Sequence, residues 1–283
     1  MSRLKLYLDL VRFEHTLFAL PFAYGGMLWA AGGWPGWRTF LLVTLAMVGA
    51  RTMAMALNRL IDWRLDALNP RTKDRHLPRG LVKPWETLVL ALLGLMLLVY
   101  AGLRLNPLTA RLLPVAVFFL VFYSYTKRFT WLCHYVLGLT IGAAAAGGWI
   151  AVTGSFAPTA YALWAGVGLW IAGFDILYAT QDYAFDRVHG VKSIPARFGI
   201  PKALWVARAS HLLAWLAFLW AGVSYGAGPL YYLGLLLVGG LLLLEHRLVS
   251  PEDLSKVDVA FFQANVGVSL GMLLFIVLDL LMA

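Results

Sequence analysis

The feature that most restricts how this chain can fold is a succession of long apolar runs separated by short polar connections. A helix needs about 20 predominantly apolar residues to cross the hydrocarbon core of a bilayer. Nine stretches approach that length: 16–33, 40–57, 87–103, 112–125, 132–152, 160–179, 203–222, 229–244 and 260–282. The third, fourth and eighth fall short of it, and the tyrosines at their flanks (Tyr100, Tyr123, Tyr125, Tyr231, Tyr232) read as interfacial aromatics that extend them. With 61% of the 283 residues hydrophobic and 13% charged, a water-soluble fold has more apolar surface than it can bury. That excludes a soluble enzyme, a nucleic-acid-binding protein and a disordered scaffold. The single cysteine, Cys133, leaves no disulfide within the chain and no cysteine-rich zinc site. The expectation is an all-α integral membrane protein in which residues 1–283 form one transmembrane domain, with no cleavable leader before the first span. Glycines within the runs, such as Gly25, Gly26 and those from Gly142 to Gly148, would let neighbouring helices approach closely.

The basic residues orient the spans. With nine crossings, the N-terminus and the loops after spans two, four, six and eight share one side, and 18 of the 23 Lys and Arg residues lie there. The other side has only Arg38, Arg104 and Arg111, while Arg51 and Arg208 fall within or at the edge of spans. Positive charge marks the cytoplasmic face, so the N-terminus is expected in the cytoplasm and the C-terminus outside, in the cell inner (plasma) membrane. The net charge of +9 is thereby explained without a polyanionic partner such as nucleic acid.

Two clusters depart from a plain topology. The first closes the second span with Asn58-x-x-x-Asp62-x-x-x-Asp66, and the second closes the sixth with Asp175-x-x-Tyr178-x-x-x-Asp182-x-x-x-Asp186. Residues four apart share a helix face. Asn58, Asp62 and Asp66 therefore form one stripe and Asp182 and Asp186 another, with Tyr178 and Asp175 expected to extend it upward. Carboxylates on one stripe repel each other, so two such stripes at a membrane surface call for a cation. Oxygen donors without nearby His or Cys specify a hard ion, and Mg²⁺ suits them when phosphate supplies further ligands. Simple helix endings at the interface account for one such stripe but not for two at equivalent ends of spans. The separations Asp62 to Asp182 and Asp66 to Asp186 are both 120 residues, or four spans, which predicts two repeats of the same orientation around a central site facing the cytoplasm.

Basic residues surround both stripes: Arg71, Lys73, Arg75 and Arg79 follow the first, Lys192 and Arg197 follow the second, and Lys127 and Arg128 lie between. Carboxylates, Mg²⁺ and Lys/Arg together make the apparatus for holding a diphosphate. No Walker-type glycine loop is present, which argues against a nucleotide hydrolase.

Asn58-x-x-x-Asp62-x-x-x-Asp66 with the downstream Asn69-Pro70-Arg71-Thr72-x-x-Arg75-His76-Leu77-Pro78-x-Gly80 resembles the first signature of the UbiA-type intramembrane prenyltransferases. Tyr178-x-x-Gln181-Asp182-x-x-x-Asp186-x-x-x-Gly190-x-Lys192-Ser193 resembles the second, and Tyr125-Thr126-Lys127-Arg128 the basic motif between them. With Val11-Arg12-Phe13-Glu14-His15-Thr16-Leu17-Phe18-Ala19-Leu20-Pro21, the chain looks like the 4-hydroxybenzoate polyprenyltransferase-like subgroup, which also includes naphthoate prenylation in a menaquinone route. The resemblance implies a nine-span all-helical fold and transfer of a polyprenyl group from its diphosphate to an aromatic acceptor in ubiquinone or menaquinone biosynthesis. It implies two Mg²⁺ ions, one on Asn58, Asp62 and Asp66 and one on Asp182 and Asp186, with Arg71, Arg75, Lys127 and Lys192 on the diphosphate. Arg51, seven residues before Asn58 and so on the same face, is expected to meet the acceptor carboxylate or the diphosphate, since an arginine inside a membrane is costly without a role. Asp175 is expected to orient the acceptor or take its proton, Tyr178 to face the allylic cation, and Arg12 and His15 to reach the site from the first span. His134, His189, His211 and His246 show no ligand spacing, and Cys133 reads as a small apolar helix residue. A transporter is the competing class, but transport needs polar sites near mid-membrane, whereas these ionisable residues gather on one side.

Overall fold

The computed structural model describes residues 3–282, and all regular structure among them is helical. In chain order the helices are α1 (Arg3–Leu10), α2 (Thr16–Ala31), α3 (Trp37–Leu68), α4 (Pro84–Leu105), α5 (Pro107–Thr126), α6 (Cys133–Thr153), α7 (Pro158–Ala179), α8 (Tyr183–His189), α9 (Ile194–Phe198), α10 (Ile200–Tyr225), α11 (Pro229–Leu248) and α12 (Val257–Met282). Among the described residues eight helices are long and apolar enough to cross a membrane: α3, α4, α5, α6, α7 continued through α8, α10, α11 and α12. Helix α2, the expected first span, has 16 residues. At 1.5 Å per residue that is about 24 Å, less than the hydrocarbon thickness of about 30 Å. The three runs expected to be short are full helices of 22, 20 and 20 residues in α4, α5 and α11.

The chain divides into two units. The first takes the N-terminal residues through Thr16 together with Leu41–Tyr125. Its helices approach closely where Gly49 meets Gly94, since a Cβ on either would run into the other's backbone carbonyl. Small buried clusters, Leu10 with Leu77 and Val82, and Val11 with Ala56 and Ala91, seat α1 and the loop after α3.

The second unit takes Leu17–Phe40 and the chain from Thr126 onward. Helix α7 packs on α6 and α10, and α11 packs on α12. Its core is aromatic: Phe22 stacks on Phe218 with ring centroids 5.4 Å apart, and Phe18 and Phe174 pack around Trp170. The glycine run of α6 meets neighbouring backbone directly, Gly138 and Gly142 at α7 and Gly148 at α2. Large apolar side chains such as Leu92, Met96, Phe118, Leu236 and Leu243 point outward. In water such a surface marks an unmet partner; on these helices lipid is that partner, and the protein is an integral membrane protein.

Candidate active site

Helix α3 runs 32 residues without a proline and overshoots its apolar portion by a further three turns, ending at Leu68 before Asn69-Pro70. The whole Asn58, Asp62, Asp66 stripe is therefore held on one continuous helix, as the spacing predicts. Asn58 Nδ2 donates to Asp62 Oδ2 at 3.1 Å and to Ser124 Oγ at 3.2 Å. The amide nitrogen is thus engaged by protein, and the carbonyl oxygen is the end with lone pairs for a cation. Asp62 and Asp66 are buried. Asp66 is gripped by Arg75 Nη1, 2.7 Å from Oδ1 and 2.8 Å from Oδ2. The loop that returns Arg75 to Asp66 is fastened by Thr72 Oγ1 on the Asp66 carbonyl and by Asn69, whose side-chain and backbone oxygens accept from Arg71, Thr72 and Lys73. Arg71 itself is exposed on that loop.

Arg51, Arg12 and His15 come together in the same unit. Arg12 is the only described non-glycine residue with positive φ, at 48°, a conformation that costs an L-residue about 1–3 kcal/mol. It turns the Arg12 carbonyl toward Arg51, whose Nη2 donates to it at 3.0 Å. Arg51 Nε is buried and has no hydrogen-bond partner, so this guanidinium keeps a donor for an anionic ligand. Burial and then the charges of Arg51, Arg12 and Arg59 push His15 down to about 3, so its imidazole is neutral at physiological pH. The Arg12 side chain is exposed and lies 3.4 Å from Glu14.

The second cluster differs from the expected stripe. Helix α7 stops at Ala179, a 3₁₀ turn spans Thr180–Asp182, and α8 resumes at Tyr183. A 3₁₀ turn winds three residues rather than 3.6 per turn, so the helix carrying Asp175 and Tyr178 changes pitch before it reaches Asp186. Tyr178 packs on Phe261, ring centroids 4.3 Å apart, and Asp175 pairs with His134 at 2.6 Å. Asp186 is buried and accepts from Ser193 Oγ at 2.8 Å. Helix α8 ends on Gly190, whose φ of 71° suits glycine. The chain then doubles back: Val191 N donates to the Asp186 carbonyl at 2.9 Å and Lys192 N to the Lys127 carbonyl at 2.7 Å. That last bond joins the basic motif to the second signature, and Lys127 and Asp182 both lie close enough to act electrostatically on Asp186. The donors of both stripes are oxygens only. Among the described residues no three His, Cys, Asp or Glu side chains converge on one point. Oxygen donors are the ligand type that Mg²⁺ takes, together with phosphate and water.

Several polar residues carry no signature in the sequence. His134, with no ligand spacing, is buried against Asp175. Cys133 is more than packing, since its Sγ donates to the Lys192 carbonyl at 3.2 Å. His211 bonds His246 at 3.0 Å, and fully buried Glu245 accepts from Asn265 at 3.0 Å. Asp279 accepts from the N–H groups of Gly228 and Tyr231 and so caps the start of α11.

A sequence profile of the UbiA prenyltransferase family matches residues 19–267. The chain is 32% identical over 282 residues to a 4-hydroxybenzoate octaprenyltransferase of Shewanella denitrificans, covering 98% of this chain and 94% of that one. It is 30% identical over 279 residues to the enzyme of that name from Vibrio atlanticus, covering 97% and 98%. Its fold matches the apo structure of a UbiA homolog from Aeropyrum pernix with a TM-score of 0.85 at 33% identity, covering 94% of this chain and 98% of that one. A UbiA homolog from Archaeoglobus fulgidus bound to DMAPP and Mg²⁺ shares the fold with a TM-score of 0.66 at 19% identity, covering 94% and 98%.

Proposed function

The chain belongs to the UbiA prenyltransferase family, and on that premise we propose that it transfers a polyprenyl group from polyprenyl diphosphate to 4-hydroxybenzoate or a dihydroxynaphthoate in ubiquinone or menaquinone biosynthesis. It is an integral membrane prenyltransferase. The acceptor class follows the relatives that bear the 4-hydroxybenzoate name. The observation that carries the reading is the two sets of oxygen donors, Asn58 with buried Asp62 and Asp66 on α3, and Asp182 with buried Asp186 at the start of α8, each set with a basic side chain acting on it.

In this reading Asn58, Asp62 and Asp66 hold one Mg²⁺ and Asp182 and Asp186 a second. Bound Mg²⁺ neutralises charge on diphosphate oxygens and so improves the leaving group. Arg71, Arg75, Lys127 and Lys192 offset the rest of that charge. The face of Tyr178 stabilises the allylic cation by about 0.5–2 kcal/mol. Arg51, with its unpaired buried Nε, takes the acceptor carboxylate or a diphosphate oxygen, with Arg12 and His15 beside it. Asp175 orients the acceptor hydroxyl. The new bond forms between the allylic carbon and a ring carbon, diphosphate departs with the electron pair, and the ring carbon loses its proton.

The topology that fits this chemistry has α2 as a ninth crossing and the whole chain as one domain built from two four-span repeats. Its N-terminus is in the cytoplasm and its C-terminus outside, in the inner membrane. The location of 18 of 23 basic residues supports that orientation.

The test is product formation. Purified protein with Mg²⁺, a polyprenyl diphosphate and either phenolic acid should give a C-prenylated product by mass spectrometry. Asp62→Ala and Asp182→Ala should each abolish it. Full metal-dependent turnover by both variants overturns the assignment.

A further inference from the structure

Asp175 lies beside a histidine that no motif marks. His134 Nδ1 is 2.6 Å from Asp175 Oδ2, and the backbone N–H of Ile194 meets His134 Nε2 at 3.3 Å. A backbone N–H only donates, so Nε2 is the bare nitrogen of the ring. The single imidazole proton then sits on Nδ1 and is donated to the carboxylate. The pair is an imidazole donating through Nδ1 to the Asp175 carboxylate.

Burial of the two partners is unequal. The His134 side chain is 4% exposed and that of Asp175 is 27% exposed. The imidazole is sealed behind the carboxylate, while the carboxylate keeps an open side. The hydrogen bond occupies Oδ2, which leaves the lone pairs of Oδ1 for another donor. A buried ring that holds a partly open carboxylate in one rotamer is a support for chemistry on that open side.

His134 is also tied to the second signature. Ile194 opens α9, and its neighbour Ser193 donates to Asp186 while Lys192 is held on Lys127. One imidazole therefore joins Asp175 to the segment carrying Ser193 and Lys192.

We propose that His134 is the positioning residue of the acceptor subsite. By donating to Asp175 it presents that carboxylate, in one orientation, to the free hydroxyl of a phenol or naphthol. The subsite thus selects aromatic acids with an unblocked O–H, and the hydrogen bond enriches the ring carbons ortho and para to the oxygen for attack on the allylic carbon. The nature of the acceptor rests on the prenyl-transfer reading; the His134–Asp175 support does not.

The experiment measures binding and turnover separately, with full-length protein in detergent. Equilibrium dialysis compares 4-hydroxybenzoate and a dihydroxynaphthoate with their O-methyl analogues, and steady-state kinetics gives KM for each substrate. His134→Ala should weaken binding of at least one hydroxy acid by about tenfold and raise its KM in step, with KM for the prenyl diphosphate within about twofold of wild type. The O-methyl analogues should bind weakly to both proteins. His134→Gln, whose amide N–H and carbonyl replace Nδ1–H and Nε2, should recover most of the loss. His134→Ala combined with Asp175→Asn should be no worse than Asp175→Asn alone, because the two act as one unit. The proposal is overturned by equal loss for hydroxy and methoxy acids, by additive losses, by a loss on the diphosphate side, or by a wild type that does not prefer the hydroxy acids. If His134→Ala does not fold, His134→Gln and Asp175→Asn carry the comparison. A wild type that discriminates the hydroxy acids but forms no product overturns the prenyl-transfer reading and leaves the support intact.

Discussion

A single nitrogen of Arg75, Nη1, bridges both oxygens of Asp66, at 2.7 and 2.8 Å. Asp66 is buried, and a buried carboxylate needs a counter-charge. The Arg75 guanidinium supplies it, on a carboxylate that the proposed function also assigns to Mg²⁺.

On the proposed function, Arg75 would compete with the ion for Asp66 until it turns to the diphosphate. Arg75→Ala should bind Mg²⁺ alone about three- to tenfold more tightly than the parent protein, yet turn over prenyl diphosphate about a hundredfold more slowly. Metal titration in the absence of substrate, beside steady-state kinetics, checks both halves. Weaker metal binding in the variant would show that Arg75 supports the ion instead.

The glycines of α6 predict a sharp contrast between neighbours. A Cβ on Gly148 would collide with the Ala23 carbonyl of α2, whereas one on Gly147 meets nothing within 4 Å. Gly148→Ala should lower stability by about 1–3 kcal/mol through forced separation of the two helices. Gly147→Ala should be neutral or slightly stabilising, since alanine is the better helix former. Thermal unfolding of the detergent-solubilised protein distinguishes them.

His15 makes stability depend on pH. Its pKa is about 3 in the folded protein, against 6.5 for an unperturbed histidine. Between those values the unfolded chain takes up a proton that the folded one does not. The contribution is complete above about pH 6.5 and is lost as the pH falls. At pH 5 the loss amounts to about 2 kcal/mol. Replacing His15 with Gln should flatten the decline in melting temperature between pH 7.5 and 5, and an unchanged decline would show that other groups cause it.

Glu245 and Asn265 form a buried polar link within the second unit. Asn265 accepts from Trp170 Nε1 at 2.6 Å, and its amide nitrogen donates to Glu245 at 3.0 Å and to the Phe261 carbonyl at 2.9 Å in the π-helical stretch Ala260–Ala264. Asn265→Ala strips all three partners and should cost about 1–3 kcal/mol, the desolvation penalty of orphaned buried groups. Glu245→Gln keeps an acceptor oxygen for Asn265 and should cost less than about 1 kcal/mol. Melting temperatures of the two variants should differ in that order.

The first carboxylate stripe was legible because α3 is regular: spacing of four on an unbroken helix gives one face wherever the helix sits. The second was legible only in part. The 3₁₀ turn at Thr180–Asp182 interrupts the α-helix between Asp175 and Asp186, and nothing in the local sequence announces that change of pitch. The α6 glycines could be read as contact points, since only a missing Cβ allows such close approach. His134 could not be read at all. Its partners are 41 and 60 residues away, and a histidine at the start of an apolar helix has no spacing that reveals them.

The sequence by itself determined the helical membrane class and the chemistry of the oxygen donors. Both depend on local quantities: the length of apolar runs against bilayer thickness, and residue type at helical spacing. Only the tertiary structure decided which basic group neutralises which acid, which ring nitrogen carries the proton beside Asp175, and which buried donor of Arg51 is left for a ligand. Those outcomes depend on hydrogen-bond directions between segments far apart in the chain, and burial makes each unpaired polar group too costly to leave to chance.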